Sequence, residues 1–193
     1  MKNCLLSMLL IVFVSCGSGD KKANEANKGP VALSKSVSSS AFNQSFGKLL
    51  DNYYTLKDNF VAEKDSANLN KSARVLMVSV DSLQLKELKA DSNLVSTAQT
   101  YTLGISSELK GLVGETTIEN KRKSFQMVGD ELYDLIRTVQ YDQAVIYHDF
   151  CPMAFNDQGA NWLSNSPEIR NPYIPKKMIS CGEIKDSIDF RKK

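Results

Sequence analysis

Between Ala41 and Gln143 the apolar residues recur at steps of three and four, and no other feature constrains the fold as strongly. Phe42, Phe46, Leu49, Tyr53, Leu56 and Phe60 form one stripe of a helix. Leu69, Ala73, Leu76, Val80 and Leu83 form a second. Leu94, Ala98, Tyr101, Ile105, Leu109 and Leu112 form a third, and Ile118, Phe125, Val128, Leu132, Leu135 and Val139 a fourth. Residues with short oxygen-bearing side chains precede the last three: Asp65 or Ser66, Asp91 or Ser92, and Thr116 or Thr117. Each can accept from a backbone N–H that the first helical turn leaves unpaired.

The segments between the stripes, Ala62 to Asp65, Lys89 to Ser92 and Gly114 to Thr117, are short and polar. Short connections make consecutive helices antiparallel neighbours. The expected fold is therefore mainly α: an up-down-up-down four-helix bundle over 41–143. Gly104 and the Ser/Thr content weaken the third pattern, so the alternative is three helices and a frayed piece. These helices offer little chemistry. A di-iron bundle needs inward Glu-x-x-His pairs, and the one histidine, His148, lies beyond the stripes. Glu115, Glu119 and Glu131 read as solvated or helix-start charges.

The N-terminus speaks to compartment. Leu5 to Val14 is almost wholly apolar, follows Lys2 and precedes Ser15-Cys16-Gly17. That run is too short to cross a bilayer core of about 30 Å, so 1–15 reads as a secretory signal. A small residue directly before Cys16 resembles a bacterial lipoprotein signal, in which Cys16 carries the lipid and begins the mature chain. Two acyl chains there would hold the protein stably at a membrane. Residues 16–40 are rich in Gly, Ser, Asn, Ala and Lys and read as a flexible tether. About 150 residues follow, enough for one domain, taken as 41–188. With 24 Lys+Arg against 22 Asp+Glu there is no basic stripe, which argues against a nucleic-acid partner.

The pattern changes after Gln143. AVIYHDF, 144–150, is β-branched and aromatic and reads as a strand. Beyond it, Pro152, Pro167, Pro172 and Pro175 prevent long helices, leaving at most a brief helix near Ala160 to Leu163. Residues 144–188 are thus expected to form a loop-rich lobe packed on the bundle. The lobe holds Cys151-x-Met153 and Met178-x-x-Cys181. Positions i and i+2 of an extended segment share a face, and i and i+3 of a helical turn do likewise. Thiolate and thioether are soft donors that select Cu(I) over Mg or Ca, and His148 can add an imidazole. Structural zinc wants four Cys or His ligands, and only Cys151, Cys181 and His148 qualify.

A second reading stays open. Two cysteines in an exported protein commonly join, and a Cys151–Cys181 disulfide would close the lobe with roughly 3–4 kcal/mol of stabilisation. Met153 and Met178 would then be packing residues, with Trp162 and Tyr173 anchoring the lobe. A third reading, a Cys151 nucleophile with His148 as base and Asn161 or Asn171 as orienter, lacks an oxyanion-hole motif. The chain is not expected to be an enzyme.

YHDFCPMAFNDQGANWLSNSPEIRNPY followed by KKMISCGEI resembles a domain of unknown function found in exported proteins of Gram-negative bacteria. That resemblance extends over roughly 41–188. The domain occurs alone in small lipoproteins and fused to periplasmic adaptor subunits of copper/silver-type efflux pumps. The resemblance implies a cell-envelope lipoprotein, periplasmic or on the outer-membrane side, that binds Cu(I) or a similar soft ion. Cys151, Met153, Met178 and Cys181 would face the ion, and a heavy-metal efflux adaptor would be a partner. Asn171-Pro172-Tyr173 would be the turn uniting the two halves. Here Ile174-Pro175-Lys176-Lys177 stands where that family commonly has a glycine.

Overall fold

The computed structural model describes residues 37–191. The segment 1–15 expected to be a signal, Cys16 expected to carry a lipid, and residues 17–36 of the expected tether lie outside the described residues. The chain is mainly helical, with four long helices: α1 (Ser40–Val61), α2 (Ser66–Asp81), α3 (Ser92–Gly114) and α4 (Ile118–Val139). Each starts at a side-chain cap. Ser39, Asp65, Asp91 and Thr117 accept from the N–H groups of Phe42, Asn68, Leu94 and Asn120. All six residues of the first stripe are buried. In the third stripe Tyr101 is only half-buried, and Thr102 beside it takes the inner position.

Consecutive helices pack on one another, α1 on α2, α2 on α3 and α3 on α4. Aromatic rings join α1 to α4: Phe125 stacks on Tyr53 at 5.2 Å and tilts against Phe60 at 5.0 Å. Lys121 ties three helices together. It is fully buried, and its ammonium donates to Asn70 Oδ1 of α2 at 2.8 Å and to the Leu112 carbonyl of α3 at 2.7 Å. Two acceptors offset part of the cost of burying a charge, and desolvation lowers its pKa.

The second connection is longer than the sequence suggests. α2 stops at Asp81 rather than running on toward Lys89. The Ser82 hydroxyl bonds back to the Val78 carbonyl, and a 3-10 turn (Leu85–Glu87) follows. Local side-chain bonding of this kind competes with helix continuation. The chain then forms β2 (Leu88–Lys89), antiparallel to β1 (Val37–Ser38), so ordered pairing begins inside the stretch read as tether.

The expectation of a loop-rich lobe needs correction. Residues 146–188 hold a three-stranded antiparallel sheet in the order β4-β3-β5. β3 is Ile146–Cys151, β4 Ala160–Ser164 and β5 Glu183–Ile188. The strand expected at 144–150 is the central one. Ala160–Leu163 is strand, not a brief helix, because it pairs in register with β3 from Cys151↔Ala160 to Tyr147↔Ser164. That ladder supplies hydrogen bonds to five residues that are too few for a stable helix.

β4 has no strand on its outer side, and the helical layer covers it instead. Tyr53 Oη accepts the Leu163 N–H at 3.1 Å. The Tyr173 hydroxyl donates to the Asn161 carbonyl. Gly129 of α4 lets the helix approach: a Cβ there would lie 3.9 Å from the Asn161 carbonyl oxygen and 3.0 Å from Tyr53 Oη. An otherwise open edge is thereby satisfied by tyrosines.

Candidate functional site

The strand pleat decides which predicted residues can meet. β3 pairs regularly with β4 from Tyr147 to Cys151, so Tyr147, Asp149 and Cys151 share one face and His148 points to the other. His148 packs on Tyr133 of α4, with ring centroids 4.2 Å apart. Its pKa is lowered by desolvation, with Asp186 acting the other way. The structure does not bring His148 to the sulfur residues, either as a metal ligand or as the base of a Cys–His pair. Asn161 and Asn171 do not orient it. Asn161 donates to Asp130 at 3.4 Å, and Asn171 is bound elsewhere.

The two cysteines do come together. Cys151 ends β3 and is fully buried, and Cys181 precedes β5 and is half-buried. Both are free thiols. The Cys181 thiol lies against the Cys151 thiol and the backbone N–H of Met153. Desolvation, with the neighbouring thiol adding to it, pushes the Cys181 thiol up to about 11, so it stays protonated at neutral pH.

Two backbone devices hold this arrangement. Asn171, fully buried, donates from Nδ2 to the Cys181 carbonyl at 2.8 Å. Its Oδ1 accepts the N–H groups of Tyr173 at 2.7 Å and Ile174 at 3.2 Å, and its own N–H reaches the Ile179 carbonyl at 2.8 Å. One side chain therefore closes the turn and fixes the second cysteine. Gly182 has φ +145°, and a Cβ there would lie 2.8 Å from the Trp162 ring and 2.9 Å from the Phe150 carbonyl. Only glycine lets the chain pass beneath Trp162 immediately after Cys181.

The methionines are more exposed than the thiols. Met153 follows Pro152 at the end of β3, and Met178 closes the one-turn helix Pro175–Met178. Both line a cleft of about 430 Å³ with Arg122, Phe155, Tyr173 and Ile174. Met153 is 44% exposed and Met178 38%. The cleft wall includes Phe155, Asn156 and Asp157, three consecutive residues with left-handed φ of 52°, 57° and 64°. The Arg122 guanidinium is anchored through Nε to the Pro172 carbonyl at 2.9 Å.

Asp149 was not singled out by its sequence. It is fully buried on the Cys151 face, and neither carboxylate oxygen has a hydrogen-bond partner among the described residues. The Trp162 indole N–H is near enough to favour the carboxylate but does not complete a hydrogen bond. Desolvation pushes the Asp149 pKa up to about 6, against the opposing effect of Lys57. An acid within an apolar strand was the one available signal. Among the described residues no three His, Cys, Asp or Glu side chains converge as a metal group.

No curated protein and no solved structure matches the chain. Residues 49–144, from within α1 to just before β3 and so excluding both lobe cysteines, match the model of a family described as a protein of unknown function (DUF3347), and over that stretch the chain resembles that family.

Proposed function

We propose that this protein is a non-enzymatic envelope lipoprotein that captures a soft metal ion, Cu(I) foremost. Cys151 and Cys181 would be the principal ligands, and Met153 and Met178 would complete the set. The observation that carries this reading is the meeting of the two thiols, with the Cys181 thiol also against the backbone N–H of Met153. Two adjacent thiols are soft, polarizable donors and favour a monovalent soft ion. In this reading the four long helices form an up-down-up-down bundle that acts as a rigid support. A lipid on Cys16 would anchor the chain at the membrane. The resemblance of the cysteine segment to domains fused to copper/silver efflux adaptors suggests delivery to such an adaptor.

Titration of the reduced protein with Cu(I) against a competing chelator tests this directly. Tight one-to-one binding that disappears in Cys151→Ser/Cys181→Ser is the expected result. Absence of binding, or binding unchanged in that double variant, overturns it.

The same adjacency of thiols supports a second reading. A Cys151–Cys181 disulfide would staple the end of β3 to the start of β5 in a structural or interaction lipoprotein. Trapping thiols during extraction from the envelope, followed by mass spectrometry, separates the two. A fully oxidised pair favours the staple, and free or metal-protected thiols favour the metal site.

A further inference from the structure

The cleft between the Phe155 wall and the Pro175–Met178 turn has a floor and a rim of different character. Tyr173 is buried, and Phe155, Ile174 and Arg122 are half-buried, whereas Glu119, Asp157 and Lys177 are exposed. The Phe155 and Tyr173 rings pack with centroids 5.2 Å apart. The wall is held in an unfavourable backbone form. Phe155, Asn156 and Asp157 all have left-handed φ, which residues with a Cβ rarely adopt and which clusters where ligands are clamped.

Arg122 supplies the charge at the floor. Its Nε donates to the Pro172 carbonyl at 2.9 Å, which fixes the plane of the guanidinium. Its terminal nitrogens take part in no ion pair among the described residues. Glu63 and Glu119 act on it from farther away, and Glu63 is already engaged by Lys176 at 3.6 Å.

We infer that this cleft is a binding site for a small organic carboxylate with an apolar body. The acid group would lie on the terminal nitrogens of Arg122 and the body on Phe155, Tyr173 and Ile174. A guanidinium held in one plane presents parallel N–H donors that match the two oxygens of a carboxylate. The volume of about 430 Å³ lies in the range of small-ligand sites. The charges of the lining, Arg122 and Lys177 against Glu119 and Asp157, cancel. A singly charged ligand therefore meets no net repulsion, and Arg122, the least exposed of the four, orients it. The inference goes beyond the soft-metal reading and does not rest on it, because neither Cys151 nor Cys181 lines the cleft.

The test is an NMR titration of the reduced, metal-free protein with phenylacetate and, separately, with its neutral isostere phenylacetamide. Saturable shifts are expected at the backbone amides of Phe155, Tyr173 and Ile174, with the acid about tenfold tighter than the amide. Arg122→Gln should remove that preference and leave the amide's affinity unchanged. Glu119→Gln takes a repelling carboxylate from the exposed rim. It should tighten the acid about threefold and leave the amide unmoved. Absence of saturable shifts in the millimolar range, shifts that map elsewhere, or equal affinity for acid and amide overturns the site. So does a preference that survives Arg122→Gln. Where loss of the Pro172 bond prevents Arg122→Gln from folding, an acid affinity unmoved by Glu119→Gln overturns it instead.

Discussion

The Tyr53 hydroxyl accepts the backbone N–H of Leu163 at 3.1 Å, joining the middle of α1 to the outer edge of β4. Burial pushes the ionisation of Tyr53 far up, so the group stays a neutral hydroxyl throughout the usual pH range. Removing the oxygen leaves a buried N–H with no acceptor. Tyr53→Phe should therefore cost about 1–3 kcal/mol. Urea denaturation should show a lower midpoint with an unchanged slope, because the surface exposed on unfolding hardly changes.

Gly129 faces the same hydroxyl, and the two residues should be coupled. In the native background, Gly129→Ala adds a Cβ 3.0 Å from Tyr53 Oη, a locked group that has little room to yield. Destabilisation is expected even though alanine favours a helix by about 1 kcal/mol over glycine. In the Tyr53→Phe background the next neighbours lie at 3.9 Å, so the same substitution should become stabilising. A double-mutant cycle that shows this change of sign confirms the contact, and additive effects refute it.

Asp149 predicts a pH dependence of stability. Its pKa is about 6 in the folded protein and about 3.9 in an unfolded chain. Below about pH 4 the acid is protonated in both states and contributes nothing. Between about pH 4 and 6 the native state holds the proton that the unfolded state has released, so stability falls as pH rises. Above that window the protein carries the full penalty, roughly 3 kcal/mol. Asp149→Asn should flatten the stability profile between those limits. Chemical denaturation across pH 3.5–7.5 measures it.

The helices were legible because each stripe is a local pattern. Phe42 to Phe60 needs no distant residue to declare its buried face, and Asp91 or Thr117 caps a turn within three residues of itself. The sheet was not legible because its pairings are distant. Ala160–Ser164 and Glu183–Ile188 are unremarkable short segments until β3 orders them on either side. The spacing of Cys151 and Cys181 singles them out, but the hold on Cys181 comes from Asn171, whose side chain bridges ten residues. Proximity in sequence links His148 to Cys151. An odd separation along a regular strand places it on the opposite face, so the same sequence carried the information that separates them.

Asn171 makes the last prediction, which connects stability to thiol chemistry. Its amide holds the Cys181 carbonyl and the N–H groups of Tyr173 and Ile174. Asn171→Ala leaves those groups unpaired in a buried turn and should cost about 3 kcal/mol. In the native protein the raised pKa of Cys181 keeps little thiolate at neutral pH, so alkylation should be slow at pH 7 and still accelerating at pH 10. Without Asn171 the Cys181 segment loses its hold against Cys151. The thiol should then gain solvent, its pKa should return toward that of a free cysteine, and alkylation at pH 7 should accelerate about tenfold or more. Site-resolved mass spectrometry after timed iodoacetamide treatment reads both rates. An unchanged Cys181 rate in a folded Asn171→Ala protein would show that Gly182 and Trp162 suffice to hold the thiol in place.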